Sequence, residues 1–187
     1  MKIALLGASS QIAKGLVKNL VLDNSNKLYL FTRNTLDYQE WLKSTRLNSD
    51  QCISNRLEEF NDSIKYDLII NFIGIGDPFK ALKMGSSIFD ITFKYDQMVL
   101  DYLFCHPDSK YIFISSGVVY GNIFTKPAYK DSQAIININS LKSTDWYSMA
   151  KMYAEARHRA LNQFSILDIR VFNYVSSDID ISSRFLI

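Results

Sequence analysis

The sequence has few of the residues that build disulfide-rich or metal-dependent folds. Only two of its 187 residues are cysteine and only two are histidine. Cys52 and Cys105 have neither CxxC spacing nor the spacing of metal ligands, which argues against a disulfide scaffold and a clustered metal site. Two free thiols are typical of a reducing compartment, so we expect a cytoplasmic protein without a metal.

The chain also lacks an excess of charge of either sign and a long apolar run. Its 21 basic and 19 acidic residues leave a formal net charge of only +2. A dedicated nucleic-acid-binding protein needs a strongly basic face, so nucleic acid is not an expected partner. The apolar run after Met1 ends at Gly7, and the run at 68–75 is interrupted by Asn71. Neither is long enough for a signal peptide or a membrane span.

The sequence does contain a regular alternation of apolar runs and amphipathic stretches. Hydrophobic residues make up 48% of the chain, enough for one sizeable core. Strands are predicted at 3–6, 27–32, 50–54, 68–73, 111–114 and 165–172, and helices at 10–22, 38–45, 87–104 and 146–162. The stretch 122–145 has no clear period and is predicted to be a long functional loop. The predicted fold class is α/β, a doubly wound, Rossmann-like parallel sheet with its ligand at the carboxyl ends of the strands.

The turn between the first strand and the first helix has the composition of a phosphate-binding loop. Small residues there let backbone N–H groups and the helix N-terminus approach a pyrophosphate. Gly7 occupies the first glycine position of the dinucleotide-binding fingerprint, and Ser10 and Ala13 stand at the two later positions. A tight turn that binds no nucleotide is the alternative. The candidate cofactor-binding residues of this turn are Gly7, Ser9, Ser10, Gln11 and Ile12.

The second predicted strand ends in Thr32, Arg33 and Asn34, with no carboxylate at its tip. An NAD site usually places an acidic residue here to hold the ribose 2′-hydroxyl, whereas an arginine suits a 2′-phosphate. The sequence therefore favours NADP over NAD, with Thr32 and Arg33 as candidate contacts. An arginine that is merely exposed to solvent is the alternative.

A tyrosine and a lysine four residues apart carry the clearest chemical signal. On a helix, Tyr147 and Lys151 lie on one face. An ammonium group favours the phenolate and so lowers the pKa of a neighbouring tyrosine. Such a pair can exchange a proton with an alcohol while a cofactor moves the hydride. Ser115 and Ser116 follow the predicted strand at 111–114, which places two hydroxyl groups at the same ligand edge.

These motifs have the order and spacing found in the extended short-chain dehydrogenases/reductases, and the chain most resembles the nucleotide-sugar epimerases and dehydratases of that family. The resemblance rests on the loop at Gly7, on the motifs at 115–121 and 147–151, and on Arg-Val-Phe-Asn at 170–173. It implies that Tyr147 is the catalytic acid/base and that Lys151 lowers its pKa and holds the nicotinamide ribose. It also implies that Ser116 orients the substrate.

The same resemblance implies further cofactor contacts and a division of the chain. Asn55 stands where the family usually has an aspartate that contacts adenine, and Ser115 would line the cofactor. The remaining contacts lie where the fourth strand of the family passes the cofactor, at Phe72, Ile73 and Gly74. Because the family continues past the Arg-x-Phe-Asn strand, we expect an NAD(P)-binding domain at 1–175 and the start of a truncated substrate lobe at 176–187.

The expected function is NAD(P)-dependent epimerisation, dehydration or reduction of a nucleotide-activated sugar. A non-catalytic NADP-binding module, or a truncated inactive remnant, is the alternative. The helix at 87–104 has a broad apolar face, and in the family this helix and the one carrying the tyrosine form a dimer seam, so a homodimer is expected. His106 and His158 are expected to be exposed and without a partner. Glu155 and Arg159 are expected to form an ordinary surface pair.

Overall fold

Parallel strands, most of them joined by helices, form the described part of the chain. The computed structural model describes residues 1–47, 49–74, 83–121, 127–134 and 136–176. The strands are β1 (Lys2–Leu6), β2 (Lys27–Thr32), β3 (Cys52–Arg56), β4 (Leu68–Asn71), β5 (Lys110–Ser116) and β6 (Ser165–Val171). The helices are α1 (Gln11–Leu20), α2 (Thr35–Ser44), α3 (Ser87–Cys105) and α4 (Trp146–Ala160).

The six strands form one sheet in the order β3-β2-β1-β4-β5-β6, and every neighbouring pair is parallel. The chain order reverses direction between β1 and β4, and this switch point creates a crevice at the carboxyl ends of the strands. Leu6, at the end of β1, is level with Phe31 on one side and with Asn71 on the other. The predicted fold class, an α/β doubly wound parallel sheet, is confirmed.

The continuous apolar run of β1 reflects burial on both faces of the sheet. Ala4 and Leu6 pack into the core beneath α3 and α4, whereas Ile3 and Leu5 pack into the core beneath α1 and α2. All four side chains are fully buried. Because both faces exclude water, no position from Ile3 to Leu6 favours a polar residue, and each large side chain contributes about 1.5–3 kcal/mol of transfer free energy.

Several element boundaries differ from the predicted ones. Helix α2 begins at Thr35 rather than at residue 38, because the side chain of Asn34 accepts hydrogen bonds from the backbone N–H groups of Leu36 and Asp37 over 3.2 and 3.4 Å. Strand β3 starts and ends two residues later than expected.

Parts of two predicted segments lie outside the described residues. These are 122–126 and residue 135 of the predicted loop, and 177–187 of the predicted substrate lobe. The described part of the loop contains one short 3-10 turn, Ile138–Ser140. In the described ranges, no helix has the length and apolarity needed to cross a bilayer.

Candidate active site

Gly7 allows the end of β1 to pass close to the segment after β4. Its φ angle is +73°, and a Cβ atom placed on it would lie 3.1 Å from the side chain and from the backbone nitrogen of Ile73. Glycine alone adopts this left-handed conformation at little cost. The N–H groups of Gly7 and Ala8 both donate to the carbonyl of Phe31, over 2.9 and 3.1 Å. The loop is therefore tied to β2 as it turns into α1.

Ser10 has a structural task at the position where the fingerprint usually has its second glycine. Its side-chain oxygen accepts a hydrogen bond from the N–H of Ala13 over 3.2 Å and so caps α1. Ser10, Gln11 and Ile12 line a cleft of about 500 Å³. The positive end of the α1 dipole consequently lies at this cleft, as an anion-binding site requires.

The cleft has a volume of about 500 Å³ and lies at the carboxyl ends of β4 and β5. The predicted site residues that line it are Ser10, Gln11, Ile12, Phe72, Gly74, Ser115, Ser116, Tyr147 and Lys151. The structure therefore brings the α1 terminus and the Ser/Tyr/Lys set together, although they are more than a hundred residues apart in sequence.

Tyr147 and Ser116 both line this cleft. Burial raises the pKa of Tyr147, and the neighbouring Ser116 hydroxyl offsets only part of this effect. Desolvation of the phenolate therefore dominates the pKa of Tyr147 here, and the expected lowering by Lys151 stays a prediction.

Lys151 is only 2% exposed, and its ammonium group is held by the backbone. The Nζ atom donates to the carbonyl of Ile114 over 2.8 Å and to that of Ile73 over 3.5 Å, and it lies 4.3 Å from the ring centroid of Phe113. A Cβ atom on Gly74 would approach Nζ to 3.1 Å, so glycine leaves room for the ammonium. Burial lowers the pKa of Lys151 to about 8.

The side chain of Ser115 bonds to a carboxylate on α4. Its hydroxyl donates to Glu155 over 2.6 Å, and the Glu155 carboxylate also accepts two close hydrogen bonds from Arg170. The expectation of an ordinary surface pair is wrong for Glu155, which is 3% exposed, although its contact with exposed Arg159 does exist at 3.1 Å. The sequence signal was available, because Glu155 is one helical turn beyond Lys151 on the same face.

The expectation for the histidines is also wrong in part. His158 is 5% exposed and lies between two carboxylates, those of Asp96 and Asp168. His106 is half-buried, and its Nε2 atom is 2.8 Å from the carbonyl oxygen of Asp62. Among the described residues, no group of three histidine, cysteine or acidic side chains is arranged to hold a metal ion.

The other predicted cofactor contacts do not line the cleft. They are Gly7, Ser9, Thr32, Arg33, Asn55 and Ile73. The buried hydroxyl of Thr32 donates to the carbonyl of Asn34 over 3.1 Å, whereas Arg33 is exposed at the tip of β2. Asn55 is level with Phe31 in the sheet, so it belongs to the same carboxyl edge.

The segment after β6 forms a wall of the cleft that was not predicted from the sequence. Phe172, Asn173 and Tyr174 line the cleft together with Trp146. The ring of Phe172 occupies the space that a side chain at Gly117 would need, with the nearest atom 2.5 Å from the ideal Cβ position. The Arg-Val-Phe-Asn motif at 170–173 could have indicated this wall, because it lies at the end of the last predicted strand.

The family of the chain follows from a match that spans almost all of it. Residues 3–184 match the model of the NAD dependent epimerase/dehydratase family. The chain belongs to this family. The comparison with curated proteins found no match.

Solved structures with this architecture include several enzymes of the family. The UDP-glucose 4-epimerase from Bifidobacterium longum, solved with NAD⁺ and UDP, aligns with a TM-score of 0.71 and 17% identity over 91% of this chain and 52% of its own. The dTDP-glucose 4,6-dehydratase from Bacillus anthracis, solved with NAD, aligns with a TM-score of 0.67 and 16% identity over 91% of this chain and 54% of its own.

A third similar structure is a thiolation-reductase di-domain from an archaeal non-ribosomal peptide synthetase. It aligns with a TM-score of 0.71 and 16% identity over 92% of this chain and 52% of its own. At these identities the likeness establishes the fold. The chain spans about half the length of these proteins.

Proposed function

We propose that this chain is an NAD(P)-dependent enzyme that transfers a proton and a hydride on a nucleotide-activated sugar, as an epimerase, dehydratase or reductase. One observation carries the proposal: Ser116, Tyr147 and the buried Lys151 ammonium share a cleft with the N-terminus of α1. A general acid, a cation and a helix terminus in one crevice are the parts that nicotinamide-dependent proton transfer needs.

The residues of the cleft fit a dinucleotide. Ser10, Gln11 and Ile12 would hold its pyrophosphate at the positive end of α1, and Lys151 would hold the nicotinamide ribose. Arg33 is exposed at the tip of β2, where a ribose 2′-phosphate would lie, and an arginine pairs well with phosphate oxygens. NADP is therefore the preferred cofactor in this proposal, and Asn55 would lie on the adenine side.

The proposed chemistry assigns one task to each polar side chain. A nicotinamide, when bound, supplies or accepts the hydride. Tyr147 gives or takes the proton of the reacting sugar oxygen through its hydroxyl group. Ser116 would hold that oxygen with its hydroxyl group. Lys151 supplies positive charge that stabilises the phenolate whenever Tyr147 has lost its proton.

A nucleotide-activated sugar is the proposed substrate because the chain belongs to a family of epimerases and dehydratases. The UDP-bound epimerase and the dTDP-glucose dehydratase share its fold, which supports the same substrate class. Residues 1–175 would then form the cofactor domain, and 176–187 the start of a substrate lobe. The cytoplasm is the proposed location, since Cys52 and Cys105 are both free thiols.

A homodimer through α3 and α4 is part of the proposal. Phe93 and Tyr153 are 39% and 44% exposed, and their ring centroids are 5.9 Å apart. The guanidinium carbon of Arg157 lies 5.1 and 5.5 Å from the two centroids. An exposed aromatic pair with an arginine across adjacent helices has the composition of an interface centre.

The experiment is a titration of the purified chain with NADP and NAD, followed by single-turnover hydride transfer with a panel of UDP- and dTDP-hexoses. The proposal predicts binding of NADP and transfer with at least one sugar nucleotide. Tight NADP binding without transfer to any of them would instead identify a non-catalytic binding module. Absence of binding to either cofactor would overturn both functions.

A further inference from the structure

Two carboxylates enclose the His158 imidazole inside the protein. The Nε2 atom lies 2.8 Å from Oδ1 of Asp96, on α3, and the Nδ1 atom lies 2.6 Å from Oδ1 of Asp168, on β6. Asp96 is fully buried, and the Asp168 side chain is 9% exposed. An imidazole can donate to two carboxylates only when both of its nitrogens are protonated, so this residue is an imidazolium ion.

The charges of this cluster, which we call the Asp96–His158–Asp168 triad, favour that state. Burial alone would lower the pKa of His158, but the hydrogen bonds to the two carboxylates outweigh burial and raise it to about 9. Arg157 lies 3.4 Å from Asp96, and Arg159 lies 3.3 Å from Asp168. None of the five groups lines the cleft.

A chain of hydrogen bonds connects the triad to the carbonyl that Lys151 binds. The Tyr111 hydroxyl donates to Asp96 over 2.9 Å and accepts from the Asn71 amide over 3.1 Å. The carbonyl oxygen of the Asn71 side chain accepts from the N–H of Ile73 over 2.9 Å. The carbonyl of Ile73 is one of the two that hold the ammonium of Lys151. The turn after β4 is therefore fixed from the triad side of the sheet.

The aromatic ring of Phe113 provides a second connection. The ammonium of Lys151 lies 4.3 Å from its centroid, and the His158 ring meets it edge-on with a centroid separation of 5.2 Å. Two cations thus share one buried ring, with little water to screen their repulsion. The carboxylates of Asp96 and Asp168 counter this repulsion, and both act to raise the pKa of Lys151.

We propose that Asp96, His158 and Asp168 are positioning residues that together set how firmly Lys151 is held as an ammonium ion and that fix the backbone carbonyl it binds. This role deepens the proposed function, on which it rests, because it assigns the charge of the lysine to a cluster outside the cleft. The carboxylates of Asp96 and Asp168 favour the charged form of Lys151. The imidazolium of His158 repels the ammonium and so offsets part of this effect.

Other charged and titratable groups face the same region and must be accounted for. Glu155, on α4, also raises the pKa of Lys151, and its own charge is balanced by Arg170 of β6. Tyr147, on α4, shares the cleft with the lysine, and Tyr111 of β5 bonds directly to the triad. The test therefore changes one triad charge at a time and leaves these groups in place.

The experiment follows the ¹³Cε resonance of Lys151 against pH in lysine-labelled protein, assigned by its absence from Lys151→Met. Asp96→Asn removes a negative charge, so we expect the titration midpoint to fall by roughly one pH unit. His158→Gln removes a positive charge and should raise the midpoint. If the triad had only a structural role, the two variants would not shift the midpoint of Lys151 in opposite directions. Midpoints that stay fixed, or that move in the same direction in the two folded variants, would overturn the proposal.

Two further variants keep the test decisive. Asp168→Asn removes a carboxylate from the edge strand, where folding is less affected, and should also lower the midpoint. Asp101→Asn changes an exposed carboxylate of α3 that bonds to Gln97, and it should leave the midpoint unchanged. An equal effect of these two variants would also contradict the proposal. Because the titration needs no cofactor, its outcome is independent of the NADP titration that tests the proposed function.

Discussion

The hydroxyl group of Ser115 donates a hydrogen bond to the carboxylate of Glu155 over 2.6 Å, which ties the end of β5 to the helix that carries Tyr147. The same carboxylate accepts hydrogen bonds from Arg170 of β6, the shortest of them 2.6 Å long. Glu155 thus joins three elements behind the cleft. Ser116, the next residue, lines the cleft together with Tyr147.

Glu155→Gln should destabilise the protein by about 3 kcal/mol, because it leaves the guanidinium of Arg170 without its carboxylate in a largely buried place. Urea denaturation followed by circular dichroism measures the change in the free energy of unfolding. Glu40→Gln, on the exposed face of α2, is the matched control and should change it little. Equal stability of the two variants would show that the Glu155–Arg170 pair contributes nothing.

Arg33→Asp should reverse the cofactor preference from NADP to NAD. The substitution replaces a cation that can pair with the 2′-phosphate by a carboxylate that repels it, a change worth more than about 1.4 kcal/mol, or tenfold in relative affinity. Calorimetric titration of each variant with both cofactors gives the ratio. Lys27→Asp, at the amino end of β2, makes a similar charge change at the opposite edge of the sheet and should preserve the preference. An unchanged ratio in the Arg33 variant would reject the NADP assignment.

His158 should make the stability of the protein depend on pH above neutrality. Its pKa is raised from 6.5 in the unfolded chain to about 9 in the fold, so its contribution is complete below pH 6.5 and is lost as the pH rises through 9. The free-energy difference between wild type and His158→Gln should therefore shrink by up to about 3 kcal/mol across this window. Urea titrations at half-unit pH steps measure it, and a difference independent of pH would show that the imidazolium is not stabilised.

Phe93→Asp should convert a dimer into a monomer, because it places a charge at the centre of the exposed aromatic pair on α3 and α4. Light scattering coupled to size-exclusion chromatography reports the mass at each protein concentration. Leu22→Asp changes a leucine that is 79% exposed after α1 and should leave the mass unaltered. A wild-type protein that is monomeric at all concentrations would refute the dimer.

The parts of the fold that sequence patterns predicted are those decided by local interactions. The four apolar residues before Gly7 can be buried on both sides only inside a sheet, and Gly7 itself marks the turn that follows. Likewise, a separation of four residues is enough to place Tyr147 and Lys151 on one helical face. Short-range geometry therefore predicted the turn that leads into α1 and the Tyr147–Lys151 pair on α4.

What sequence reasoning missed depends on partners that are distant in the chain. His158 is 62 residues from Asp96, and only the packing of α3 against α4 brings them together. The contact with Asp168 needs in addition that β6 pairs with β5. The same holds for the pKa of Tyr147, because the cleft in which it lies is lined by segments that are distant in the chain.

The most direct test of the account is single-turnover hydride transfer by Tyr147→Phe, with NADP affinity measured on the same protein. Removal of one hydroxyl group should reduce transfer to the sugar nucleotide by about 10²–10⁴-fold, the contribution of a positioned acid or base, and should leave cofactor affinity nearly unchanged. Tyr95→Phe, on α3 and outside the cleft, is the matched control and should behave as wild type. Near wild-type transfer by Tyr147→Phe would contradict the central claim that this tyrosine moves the proton.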